Sequence, residues 1–179
     1  MNWKPAFCGR TAIPASGFTL IELLVTILIA GILVAIGVPA FNSFVLNDRD
    51  IGQANSLVGS LNYARSEAVK QNLAGGVTVC PSTDGATCGG AAWSGGWIVL
   101  DPKGNVLSAV PALAGSNTLT PSSGVTFQSN GLVSGPLAIR ICDSRGAPFA
   151  REVEVNAAGR VAASTTPGQS VAGGALVCP

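Results

Sequence analysis

"GFTLIELLVTILIAGILVAIGVPA", residues 17–40, decides how the rest of the chain is read. From Phe18 to Val38 it is apolar except for Thr19, Glu22 and Thr26. At ~1.5 Å per residue that stretch extends about 31 Å, enough for one helix to cross a bilayer. Glu22 is the anomaly, because no other charge follows until Asp48. A charged side chain in hydrocarbon costs about 2.5–3.5 kcal/mol even on lenient insertion scales. A secretory signal peptide has an apolar region of roughly 7–15 residues followed by a small-residue cleavage site. This run is too long for that, and its unusual junction, Gly17-Phe18, precedes it. Hydropathy alone supports a plain signal anchor. Lys4 and Arg10 precede the run and no acid does. That puts the N-terminal side in the cytoplasm and everything downstream in the periplasm or outside.

Composition narrows the chemistry. The chain of 179 residues suits one domain plus an added element. Charged residues are 11% and the formal charge is +1, so no global field points to nucleic acid. There is no histidine, which removes Ser-His-Asp triads, Cys-His pairs and His-ligated metals together. Of the five cysteines, Cys8 falls on the cytoplasmic side. Cys80, Cys88, Cys142 and Cys178 form an even set in an oxidising compartment, where disulfides persist. No pair has C-x2-C spacing, which argues for disulfides over zinc. Three pairings exist on paper. Cys80–Cys88 is expected because those residues bracket half of a glycine-rich loop, "PSTDGATCGGAAWSG" at 81–95. Cys142–Cys178 is expected to tie "IRIC" to the C-terminal "ALVC".

Residues 18 to about 73 read as one helix, interrupted at Pro39 and weakened at Gly31 and Gly37. Beyond the membrane run, Ile51, Ala54, Leu57, Val58, Leu61, Ala64, Ala68 and Val69 make a helical stripe that should pack on a globular body. Ala74-Gly75-Gly76 is expected to end the helix. After it, "VTVC", "GWIVL", "VTFQ", "LAIRIC", "REVEV" and "ALVC" read as strands of an antiparallel β domain. "DPKGN", "SNG" and "SRGAP" supply turns.

No catalytic constellation emerges. Asp143 and Arg145 in "CDSRG" read as an Asx-type turn with a surface pair rather than a catalytic acid. "DGATCGG" lacks the Gly-Lys-Ser/Thr ending of a phosphate loop, and "DPKGN" lacks the further acids of a calcium loop. Trp93 and Trp97 read as packing residues. The sequence points to no metal and no cofactor.

The coincidence of a basic leader ending in Gly17, then Phe18-Thr19-Leu20-Ile21-Glu22, then an apolar helix containing Pro39, closely resembles the class III signal of type IV pilins and type II secretion pseudopilins. "LNYARSEAVKQNLAGGVTVCPSTDGATC", "WSGGWIVLD", "ICDSRG" and "NAAGRV" resemble the GspH/FimT family of minor pilins and pseudopilins. FimT members tend to carry Gly-Arg-x-Arg near the end; here Gly159-Arg160-Val161 is followed by Ala162.

The resemblance implies an α+β, lollipop-shaped pilin fold. It has a leader at 1–17, a long helix at 18–75 with 18–38 transmembrane, and a periplasmic β-rich domain at 76–179. It implies cleavage between Gly17 and Phe18 by a prepilin peptidase at the inner membrane, with N-methylation of Phe18. Glu22, with Pro39 an assembly position, then meets the positive N-terminus of a neighbouring subunit. The implied role is structural: initiating or capping a type IV pilus or a type II secretion pseudopilus, with an inner-membrane assembly platform as partner. The alternative is a DNA-binding pilin for natural transformation, gripping duplex DNA through Arg140, Arg145, Arg151 and Arg160. Cleavage would remove Lys4 and Arg10 from ten basic residues, leaving eight against nine acids, so such a grip would need local clustering.

Overall fold

The computed structural model describes residues 17–72, 74–90, 92–121 and 123–179. The leader before Gly17, with Lys4, Cys8 and Arg10, lies outside the described residues. The chain divides into two compact units, one ending at Asn42 and one spanning Ser43–Pro179. Helix α1 (Leu20–Lys70) contributes to both.

In the first unit Thr19 caps the helix. Its hydroxyl accepts the Glu22 N–H at 3.2 Å, and its carbonyl accepts the Leu23 N–H at 3.1 Å. α1 continues through Pro39, where the sequence reading expects an interruption. Proline removes a single N–H, and a long helix with intact turns on both sides absorbs that loss. Every residue from Gly17 to Val45 is exposed.

In the second unit the stripe is Ala54, Leu57, Leu61, Ala64 and Ala68, all buried. Ile51 and Val69, expected on it, are 36% and 50% exposed. Asp50 and Gln53 are buried in their place. α1 ends at Lys70 rather than at the glycine pair. Gln71 and Asn72 donate to the carbonyls of Glu67 and Val69, and Asn72 turns the chain at φ 46°. Asparagine tolerates this left-handed conformation, so it terminates the helix before the glycines are reached.

The strands are β1 (Val77–Pro81), β2 (Trp97–Leu100), β3 (Val106–Val110), β4 (Thr118–Thr120), β5 (Val125–Phe127), β6 (Leu137–Cys142), β7 (Arg151–Val155) and β8 (Val161–Ala163). They form two antiparallel sheets, ordered β3-β2-β1-β5 and β4-β6-β7-β8. β3, β4 and β8 are additions to the sequence reading. "ALVC" is not a strand: Ala175 makes only an isolated bridge to Gln169. The C-terminal segment is held instead by the Leu176 N–H to the Gly168 carbonyl and by Leu176 packing with Cys142 and Ala150.

One core joins helix and sheets. The stripe residues share it with Val77, Val79, Val99, Val125 and Phe127 of the first sheet and with Leu119, Ile139, Ile141, Val153 and Val155 of the second. Trp93 and Trp97 are fully buried in it, ring centroids 6.2 Å apart. The Trp97 indole N–H donates to the Ser60 hydroxyl at 2.9 Å, fixing helix to sheet. At the far end Arg65 donates to the Ala158 carbonyl, and Gly159 (φ 71°) sits so close to Gly131 that a Cβ would lie 2.0 Å from its carbonyl oxygen. Only glycine fits there.

Candidate functional site

The N-terminal segment holds Gly17, Phe18, Glu22 and Pro39. Glu22 stands three residues after the cap Thr19, in the first turn. Threonine followed by glutamate at that spacing is a capping-box pattern, and the helix dipole favours a carboxylate there by about 0.3–1 kcal/mol. That is too little to offset the about 2.5–3.5 kcal/mol that a charged side chain costs in hydrocarbon. Phe18 is 82% exposed, and no residue of the apolar run that follows in α1 is buried. The segment therefore presents an apolar surface with one carboxylate at its head.

The second unit is cross-braced by sulfur. Cys80 is bonded to Cys88 and Cys142 to Cys178, with Cα–Cα distances of 5.6 and 5.9 Å. The first bond closes a loop further organised by Asp84. Its carboxylate accepts from the Ser82 and Thr87 hydroxyls and from the Ala86 and Thr87 N–H groups. Those bonds, the Thr87 N–H foremost, hold the Asp84 carboxyl far below the usual carboxylate range.

The feature missed in the sequence is a buried polar cluster between α1 and the second sheet. Arg145 is its hub. Its Nη2 meets the Asp50 carboxylate at 3.1 Å and its Nε meets Asp143 at 2.6 Å, and its side chain is 15% exposed against 1% for each acid. Nη1 donates to the Ser43 carbonyl at 3.2 Å, and the guanidinium lies 4.4 Å from the Phe149 ring centroid. Asn117 donates to Asp50 at 2.6 Å and to the Gln53 side-chain carbonyl at 2.8 Å. The Asx turn expected at Asp143 is present, with the Arg145 N–H on its carboxylate. The expected surface pair is not, because the acid is buried and the arginine reaches the helix. Burial, above all, raises the Asp50 carboxyl. The Asp143 charge and a hydrogen bond between the two carboxyls add to this, while Asn117 and Arg145 oppose it. The signal was available: the stripe of 54, 57, 61, 64 and 68, extended back by one turn, lands on Asp50.

The four arginines proposed for DNA are dispersed. Arg145 is committed to the cluster. Arg151 lies on the core face of β7 with Val153 and Val155 and is only 9% exposed. It reaches Asn47 and the carbonyls of Ser164 and Thr165 at 3.4–3.5 Å. Alternation put it on the right face, but that face is the buried one. Arg140 donates to the Val177 carbonyl at 3.1 Å, pinning the C-terminal segment. Arg160 is exposed and lines a cavity of about 320 Å³ with Glu154 and Asn156.

A family model described as "Type II transport protein GspH" matches residues 53–159, and one described as "Prokaryotic N-terminal methylation motif" matches residues 14–38. Among solved structures, the fold is similar to that of the type IV minor pilin FimU of Pseudomonas aeruginosa. The match has 23% identity and a TM-score of 0.54, over 69% of this chain and 98% of that one. A second crystal form of the same pilin matches at 23% identity over 62% of this chain and 89% of that one, with a TM-score of 0.48.

Proposed function

The chain belongs to the GspH family of type II transport proteins, and from that premise we propose that it is a minor pilin or pseudopilin, a structural subunit that initiates or caps a membrane-rooted filament. One observation carries this reading. An N-terminal methylation motif opens onto an exposed apolar helix whose sole charge up to Asp48 is Glu22 in the first turn. In this reading a prepilin peptidase cuts between Gly17 and Phe18 and the new amine is methylated. The unit from Ser43 onward faces the periplasm. An inner-membrane platform extracts the subunit, and Glu22 pairs with the amine of a neighbouring subunit. The pairing explains why a costly carboxylate sits in the run. It disfavours the lone subunit in lipid and favours the assembled one.

The experiment is incorporation of Glu22→Ala into filaments. The variant inserts in the membrane as well as wild type, because the run becomes more apolar. Its incorporation falls about tenfold or more, since each factor of ten corresponds to only about 1.4 kcal/mol of lost pairing. Normal incorporation would remove the pairing role.

A further inference from the structure

We propose that the buried cluster of Asp50, Asp143 and Arg145 is a proton-operated latch that holds α1 on the second sheet more firmly as pH falls toward the ordinary carboxylate range. Two acids with side chains 1% exposed share one guanidinium. Arg145 touches both sides of the junction: Asp50 and the Ser43 carbonyl on the helix, and Asp143 in its own turn after β6. Among the described residues, the groups around Asp50 do not supply a second positive charge. Asn117 and Gln53 are neutral amides. Arg49 lies against Gly115, where a Cβ would fall 2.3 Å from its Nη1. Arg151 of β7 turns to Asn47, and Asp48 is exposed. With both acids ionised, two negative charges face one positive charge away from water. With a proton on Asp50 the charges balance, and the neutral carboxyl donates to Asp143.

The direction follows from linkage. The folded chain holds the Asp50 proton more tightly than the unfolded chain does. Its contribution is therefore full below the unfolded carboxyl value and is lost as pH rises through the folded one. Asp84 and Asp101, held low by hydrogen bonds, act oppositely, and their contribution is lost only as pH falls below the ordinary carboxylate range of about 4. With no histidine in the sequence, no imbalance from imidazoles titrates in the window between.

The test is thermal unfolding of the full-length protein in detergent, followed by tryptophan fluorescence from about pH 8 down to the ordinary carboxylate value of about 4. Wild type should melt at a higher temperature at the acid end than at the alkaline end. Asp50→Asn removes the titrating group, so its melting temperature should lose that rise. Because the amide replaces one of two acceptor oxygens that face Asn117 and Arg145, the readout is the difference between the two pH values and not the absolute melting temperature. Glu154→Gln, an acid outside the cluster, should keep the rise. Asp143→Asn relieves the crowding of Asp50 and should reduce the rise by moving it to lower pH. A rise retained in Asp50→Asn or undiminished in Asp143→Asn would overturn the latch. So would a wild-type protein whose melting temperature does not rise toward the acid end.

Discussion

Arg145 reaches two carboxylates and a helix carbonyl from one planar fork. Removing it leaves two buried acids without a counter-ion, so Arg145→Ala should destabilise the second unit by about 3–5 kcal/mol. Arg145→Lys should recover only part of this, because a single ammonium cannot reach three separated acceptors in the fork's geometry. Chemical denaturation followed by tryptophan fluorescence measures both, and equal stability of the lysine variant would contradict the fork's role. This residue was legible only halfway. "CDSRG" displays the Asx turn, which is local chemistry. The partner Asp50 lies far away in sequence, and its own neighbourhood, "NDRDIG", looks like an ordinary polar patch. Only the helical period, carried back from Ala54, marks Asp50 as inward-facing, and a charge at a core position runs against the pattern used to find the core.

Among the elements, those with local signals are legible in the sequence. The long helix, the strands "VTVC", "WIVL", "LAIRIC" and "REVEV", and the turns between them carry their own periodicity or turn residues. β4 and β8 have three residues each, too few to show an alternation, and β8 is built from Val161 and two alanines. They are strands because β6 and β7 present ladders for them to join. "ALVC" differs the other way: Leu176 and Cys178 pack over Cys142 and Ala150 without a neighbouring strand, while Ala175 and Val177 are exposed. The helix end depends on Asn72 rather than on Gly75-Gly76. Asn72→Gly should therefore be nearly neutral, and Asn72→Val should cost about 1–2 kcal/mol, measured as a shift in denaturation midpoint. The two disulfides should differ as well. Loops with sequence separations of 8 and 36 residues give about 2.5 and about 4 kcal/mol in the chain-entropy model. Loss of Cys142–Cys178 by paired serine substitution should thus cost more than loss of Cys80–Cys88. The reverse order would mean that packing of the C-terminal segment, not chain entropy, sets its stability.

For the whole molecule the governing fact is an imbalance of burial. The second unit has a core shared by helix and both sheets. The segment from Gly17 to Val45 leaves all of its apolar side chains exposed, with Phe18, Leu33, Ile36 and Phe44 between 66% and 82% exposed. At about 25 cal/mol per Å² of apolar surface, such a helix is stable only in lipid or against other apolar helices. The proposed function uses both environments in turn, with cleavage after Gly17 as the step that creates the amine for Glu22 to meet. The most direct measurement is therefore the intact mass of the protein extracted from membranes of cells carrying a prepilin peptidase. The account predicts a chain that begins at Phe18 and carries one additional methyl group on its amine. A mature chain that still contains Met1 through Gly17 would contradict it.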